Sequence, residues 1–361
     1  MFENHYELPL SADYVQSWGV VQAIREIVQN CLDSDSPFEW AVTKEENDTF
    51  TLTLSSRFSG LTPAHLILGS SSKSENDGQI GQFGEGFKLA MLVLTRDGHE
   101  VIIENNGYVW LPLFKFSKKF ESEILQVKSI KNPCEPNGLN FIIRDLTEEQ
   151  MQEVYRSNLH MRDYPQHKET AWGNILLDDP AKLYVNGLFV CDIEAEHGYD
   201  IKPEHLKLDR DRRSVPSFDL HWTIANMWRD TGEFGLIAEK MEAESPDMKG
   251  MEWNDTALVK EACYKRFVAK HGENTMAISS QKELDELAEE GIVNTVYVGG
   301  SYGVAIRGSS GYRSSPVVQH RKKTPHEALE EYFKANRQYM RTKAIVAIKK
   351  IIDQSKEWKL K

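Results

Sequence analysis

Apolar residues at Val20, Ile24, Ile27, Val28 and Cys31 recur at helical spacing. They predict one helix over 12–35, with Ser11 as its N-cap and the Ser/Asp-rich stretch before Pro37 as its end. Strand-like runs follow at 40–42 and 49–54. Residues 69–80 are polar and rich in Ser, Asn and Gly, which reads as a mobile loop. A glycine-rich turn at 81–86 then runs into an apolar helix at 87–94. Four further strands are predicted at 100–104, 108–116, 124–130 and 139–144, and this helix–sheet mixture closes near residue 155. A second unit starts near Trp172, where strands at 183–185 and 188–191 flank Asn186-Gly187, a hairpin signal. The charged string LKLDRDRRSV (206–215) precedes helices near 217–230 and 255–270. From His271 onward, MAIS, KELDELAEE and VNTVYVG make a short βαβ pattern. The Gly/Ser-rich stretch 299–315 reads as a linker or mobile loop, and a last helix runs over about 325–357. The expected domains are 1–155, 156–270, 271–320 and a basic helical end at 321–361.

Composition narrows the function classes. The chain has 361 residues, with 43 Lys and Arg against 55 Asp and Glu, a formal charge of −12. That balance argues against coating nucleic acid with the whole surface, because phosphate binding needs local positive charge. No apolar run approaches the length of about 20 residues that a membrane span requires. The start, MFENHYELPL, lacks the basic flank and apolar core of a signal peptide. Cys31, Cys134, Cys191 and Cys263 lie far apart with no CxxC, so neither a disulfide framework nor a zinc site is expected, and a cytoplasmic setting fits. There is no Walker A, HExxH or Gly-x-Ser-x-Gly sequence. Trp18, Trp110 and Trp222 read as core or interface residues, and the histidines show no metal-ligand spacing.

Candidate chemistry begins on the first helix. At about 100° per residue, Glu26, Asn30 and Asp33 fall within an arc of about 60°, opposite the apolar side. Taken alone, that arc describes a solvated helix face. It also describes a carboxylate and an amide aimed into a cleft, where Asn offers a neutral oxygen to a hard cation and the carboxylate orients a water. The segment Ile80-Gly81-Gln82-Phe83-Gly84-Glu85-Gly86-Phe87-Lys88 strengthens the second reading. Its glycines let backbone N–H groups approach a polyphosphate, and it opens a helix whose N-terminus favours negative charge. It follows the polar loop with Ser70, Ser71, Ser72 and Lys73, as a hinged lid would.

REIVQNCLDS (25–34) resembles the Asn-box helix of the Bergerat-fold (GHKL) ATPases, the group of gyrase B, the heat-shock chaperones, the histidine kinases and MutL. IGQFGEGFK (80–88) resembles their glycine box, in the same order along the chain. The resemblance covers roughly residues 10–150. It implies an α/β (α+β) fold, a layered α/β sandwich followed by a transducer-like α/β domain and a small C-terminal α/β and helical region. It implies ATP and Mg²⁺ as cofactors, Glu26 as general base and Asn30 as metal ligand. The cofactor-binding set then holds Asn30, Asp33, Ser56, Gly60 and Lys73, together with Gly81, Gln82, Phe83, Gly84, Glu85, Gly86, Phe87 and Lys88. Two elements depart from the family. Ser56 stands where an Asp normally contacts adenine, with Phe58 for the first Gly and only Gly60 kept, and Gly138-Leu139 stands for a Gly-Thr pair. Weak ATP binding, another base or a decayed site all remain open. A basic residue of the second domain often reaches the γ-phosphate in this family. Lys207 and Arg210, beside Arg212 and Arg213, are the candidates, and a surface cluster paired with Asp209 and Asp211 is the alternative.

The N-terminal string together with YVNGLFV and LDRDRR is also similar to phage rIIA-type proteins, which implies a phage-encoded protein acting in a bacterial host. Three functions follow as expectations. The first is slow Mg²⁺-dependent ATP hydrolysis coupled to lid closure, conformational change or homodimerisation. The second is a nucleotide-gated interaction module with little turnover, acting on an unidentified protein partner. The third is a DNA-acting ATPase, carried only by the lysine-rich final helix. A nucleotide is the expected ligand, nucleic acid is not favoured, and no membrane insertion is expected.

Overall fold

A computed structural model describes residues 3–33, 37–56, 60–67, 86–132, 138–206, 215–253, 256–292, 294–319 and 325–355. The fold is mixed α/β, in two compact units, Met1–Thr231 and Gly232–Lys361.

The first unit begins with β1 (Glu3–Glu7), α1 (Val20–Leu32), β2 (Phe38–Lys44), β3 (Phe50–Ser56), α2 (Gly86–Arg96), β4 (Val101–Asn105), β5 (Tyr108–Ser117), β6 (Ser122–Lys131), β7 (Leu139–Leu146) and α3 (Glu148–Arg156). The strands form one antiparallel sheet in the order β1-β6-β5-β4-β7-β3-β2. Alternation fixes its inner face, with Leu52 and Leu54 on β3, Val101 and Ile103 on β4, and Phe141 and Ile143 on β7 all buried. α1 packs on β2 and β3, α2 packs on β4 and β5, and the two helices pack on each other. Ala23, Ile24, Ile27 and Val28 meet Ala90, Met91 and Val93 in one apolar core. Burying each such Ile or Leu contributes about 1.5–3 kcal/mol.

The first helix is shorter than its sequence pattern predicts. It starts at Val20, not residue 12, and Gly19 replaces Ser11 as N-cap, its N–H donating to the Gln22 side chain at 3.0 Å. Val15 takes a left-handed φ of 50°. The preceding carbonyls are claimed by Arg96, whose guanidinium donates to Trp18 O at 2.6 Å and to Ala12 O and Tyr14 O at 3.4 Å. A side chain at the end of α2 thus satisfies groups that an extra helical turn would have used.

The same unit continues through β8 (His167–Thr170), β9 (Gly173–Leu176), β10 (Lys182–Val185), β11 (Leu188–Asp192), β12 (Gly198–Ile201) and α4 (Ser217–Asp230). The sheet order is β11-β10-β12-β9-β8, with one parallel pair, β10 and β12. Asn186 and Gly187 form the expected tight hairpin, at φ 50° and 75°. Polar side chains brace this sheet. Buried Asp179 accepts from Lys182 Nζ at 2.8 Å, from Tyr184 Oη at 2.7 Å and from Arg162 Nη2. Burial pushes its carboxyl upward, but those three donors outweigh it and hold the group below the usual carboxylate range. Asp200 accepts from Gly187 N and Tyr164 Oη, both at 2.7 Å, yet its burial dominates and its carboxyl is raised.

The second unit holds α5 (Phe234–Glu242), α6 (Ala257–His271), β13 (Met276–Ile278), α7 (Gln281–Glu289), β14 (Thr295–Tyr297), α8 (Gly300–Gly308), α9 (Ser310–Ser314), α10 (Pro316–Gln319), α11 (Pro325–Asn336) and α12 (Thr342–Ser355). β13 and β14 pair in parallel around α7, as the βαβ pattern predicts. Two expectations fail here. The stretch 299–315 is not a linker: it forms α8 and α9 and buries Tyr302, Ala305, Ile306 and Tyr312. Its glycines serve close packing, since a side chain at Gly311 would strike the Tyr264 ring. The last helix is not continuous either. A 3₁₀ turn at Arg337–Tyr339 divides it, and His326 on α11 lies 3.0 Å from Ile352 O and from Ser355 Oγ on α12. No helix among the described residues is long and apolar enough to cross a membrane.

Candidate functional site

The outer face of α1 is where the sequence leaves its polar residues, and the fold covers part of it. Glu26 is only 4% exposed, so a solvated face does not describe it. Its Oε2 lies against Gly86, the first residue of α2, where any Cβ would collide with the carboxylate. Its Oε1 accepts from Arg25 Nη2 at 3.3 Å, and Arg25 Nη1 reaches Phe189 O of the β10–β11 hairpin at 3.4 Å. The carboxylate therefore sits between a guanidinium anchored on the second sheet and the start of a helix.

Asn30 lies one turn further along α1. Its Nδ2 donates to Glu26 O at 2.7 Å, which commits the NH₂ to the helix and leaves the amide oxygen as the ligand-capable atom. Asp33 is the C-cap, its N–H donating to carbonyls of α1. A neutral amide oxygen and a carboxylate one turn apart, beside a glycine that admits close approach, suit a hard cation carrying phosphate oxygens.

Ser56 ends β3, buried, and pairs in register with Leu139 of β7, while Leu139 also faces Asn105 of β4. Gly60 follows, packed so closely on the Asn106 side chain that no Cβ would fit. Thus the two departures from the family pattern, at Ser56 and Leu139, are neighbours in space. Two residues that sequence reasoning missed frame them. Asn105 accepts from Leu61 N at 2.8 Å and donates to Leu61 O at 2.7 Å, and Asn106 Oδ1 accepts from Gly138 N at 2.8 Å. The signal for this turn was present as Asn106-Gly107, a hairpin dipeptide with φ values of 48° and 83°.

Gly86 opens α2 beside Glu26, but the next two residues turn elsewhere. Phe87 is buried in the core. Lys88 is fully buried, its ammonium donating to Ile67 O and lying 5.6 Å from the Phe87 ring centre. It fastens α2 to the chain at Ile67, which ends the described residues before the expected lid. Lys73, Gly81, Gln82, Phe83, Gly84, Glu85, Lys207 and Arg210 lie outside the described residues.

No protein-family model matches this chain. The chain is similar to an uncharacterized protein of Mycoplasma pneumoniae (strain ATCC 29342 / M129 / Subtype 1), with 23% identity over 203 residues, covering 54% of this chain and 82% of that protein.

Proposed function

We propose that the first unit is a Bergerat-type nucleotide site that binds ATP with Mg²⁺ and hydrolyses it slowly. The observation that carries this reading is the Glu26 carboxylate lodged against Gly86, with the Asn30 amide one turn along the same helix. Arg25 orients Glu26 through Oε1, and Oε2 is the oxygen assigned to the attacking water, from which it takes the proton. Magnesium held by the Asn30 oxygen would supply charge neutralisation on the phosphates. The N–H groups at the start of α2 supply further positive potential at the same place. Lys88 acts as a tether for the segment that closes over the nucleotide, not as a phosphate ligand. A nucleotide-dependent homodimer is the assembly this reading expects.

The test is phosphate release by the purified chain. Release should require Mg²⁺, and Glu26→Ala should lower it by about a hundredfold or more while nucleotide still binds. A Glu26→Ala variant that turns over as fast as the parent overturns the assignment. Ser56 and Leu139, side by side where adenine is read in the family, favour a second reading, a nucleotide-gated interaction module. Sedimentation with a non-hydrolysable ATP analogue separates the two: assembly without any turnover in the parent supports the module.

A further inference from the structure

We propose that the helical hairpin α11–α12 binds a single-stranded polynucleotide, its phosphates along a basic track from the 3₁₀ turn onto α12 and its bases on exposed tyrosines. This surface belongs to the second unit and stands apart from the nucleotide reading of the first. A chain with a formal charge of −12 cannot hold phosphates over its whole surface, so the positive charge has to be gathered in one place. Residues 332–352 gather it: they hold six Lys and Arg and no Asp or Glu.

The fold leaves those cations to solvent. Lys334 meets Glu330 at 3.8 Å on α11. Arg337, Arg341, Lys343, Lys349 and Lys350 are exposed, and none makes an ion pair among the described residues. Arg337 opens the 3₁₀ turn between the helices, Arg341 directly precedes α12, and Lys343 lies in its first turn. Lys343 and Lys350 are seven residues apart, hence about 20° apart around α12 and about 10 Å apart along it, and Lys349 widens the track. Like charges gathered without counter-charges repel one another, and a chain of phosphates relieves that repulsion.

The tyrosines supply an observation independent of charge. Tyr339 is 80% exposed and Tyr332 60%, and neither ring stacks on another ring or on a cation among the described residues. Tyr339 stands between Arg337 and Arg341 in the chain. An open aromatic ring beside cations is a platform for an unstacked base, which a single strand offers and a duplex does not.

The apolar residues of α12 argue against a lipid surface as the occupant. Ile345, Ile348 and Ile352 fall within about 60° around the helix and are half-buried or buried, and α11 packs on α12. The exposed large aliphatic side chains, Val346 and Ile351, lie about 140° apart, so they form no single stripe that could enter a bilayer surface.

Fluorescence anisotropy of the full chain with labelled oligothymidylate and oligouridylate of about 20 nucleotides, over a range of salt concentrations, tests the surface. The strands should bind, with the logarithm of affinity falling linearly against that of salt, and a preference between them identifies DNA or RNA as the source. A duplex of the same length and phosphatidylserine vesicles should bind at least about fivefold more weakly. Lys343→Gln combined with Lys350→Gln should weaken binding about tenfold and lower the salt slope by about 1.4, the value for two phosphate contacts on a single strand. Tyr339→Ala should weaken it about fivefold or more with the slope unchanged. Failure of both strands to bind, binding indifferent to the paired lysine substitutions, or vesicles bound as tightly as either strand overturns the proposal. Equal binding of the duplex, or no effect of Tyr339→Ala, overturns the stacking of bases and with it the single-strand assignment.

Discussion

The two sheets of the first unit are held together differently. The seven-stranded sheet and its helices share a broad apolar core, and the carboxylate of Glu26 is buried at the margin of that layer. The five-stranded sheet also buries an apolar face, with Ile175, Leu183, Val185, Tyr199 and Ile201 buried along with Ile224 and Trp228 of α4, but it adds polar bracing by Asp179 with three donors and by Asp200 on the hairpin backbone. The contrast teaches how differently buried acids are held. Glu26 meets one neighbouring guanidinium and a glycine, whereas Asp179 and Asp200 are each fixed by two or more donors and thereby fix strand geometry.

The comparison can be broken in order of expected effect. Ile27→Ala, in the centre of the large core, should cost about 4 kcal/mol in urea unfolding, since deletion leaves a cavity between α1 and α2. Asp179→Asn should cost about 3 kcal/mol at neutral pH, because it removes the charge that compensates Arg162 and Lys182. A larger cost at Asp179 than at Ile27 would refute the division. The pH dependence sharpens it. A carboxyl held below its ordinary value of 3.8 contributes stability above that pH and loses it as pH falls through the lowered value. The gap between parent and Asp179→Asn should therefore stay constant through neutral and mildly acidic pH and close only below about 3.8. The smallest effect belongs to Asn105→Ala, about 1–2 kcal/mol, through loss of its two bonds to Leu61. Unfolding curves that coincide with the parent would show that this amide does not hold the turn.

Local periodicity made most of the first sheet legible. Strands 100–104, 108–116, 124–130 and 139–144 correspond to β4 through β7, with no end moved by more than about two residues. The Asn186-Gly187 hairpin and the parallel βαβ pattern were legible for the same reason, because turn chemistry and alternation are local. The failures were tertiary. Arg96 lies far from residues 12–18 in sequence, so nothing local told that it would take their carbonyls. The small residues of 299–315 looked flexible because glycine packing against Tyr264 exists only after folding. At the candidate site, the spacing of Glu26 and Asn30 was readable, but the burial of Glu26 against Gly86 was not. Asn105 and Asn106 were missed because they act on Leu61 and Gly138, partners distant along the chain.

Those two adjacent amides carry a consequence for how the neighbouring positions tolerate change. Leu61 and Gly138 are stitched to Asn105 and Asn106 through main-chain atoms, whatever side chains stand at Ser56 and Leu139. The backbone at Leu61 and Gly138 is thereby held by bonds to which neither of those side chains contributes, so substitutions at positions 56 and 139 would leave these anchors in place.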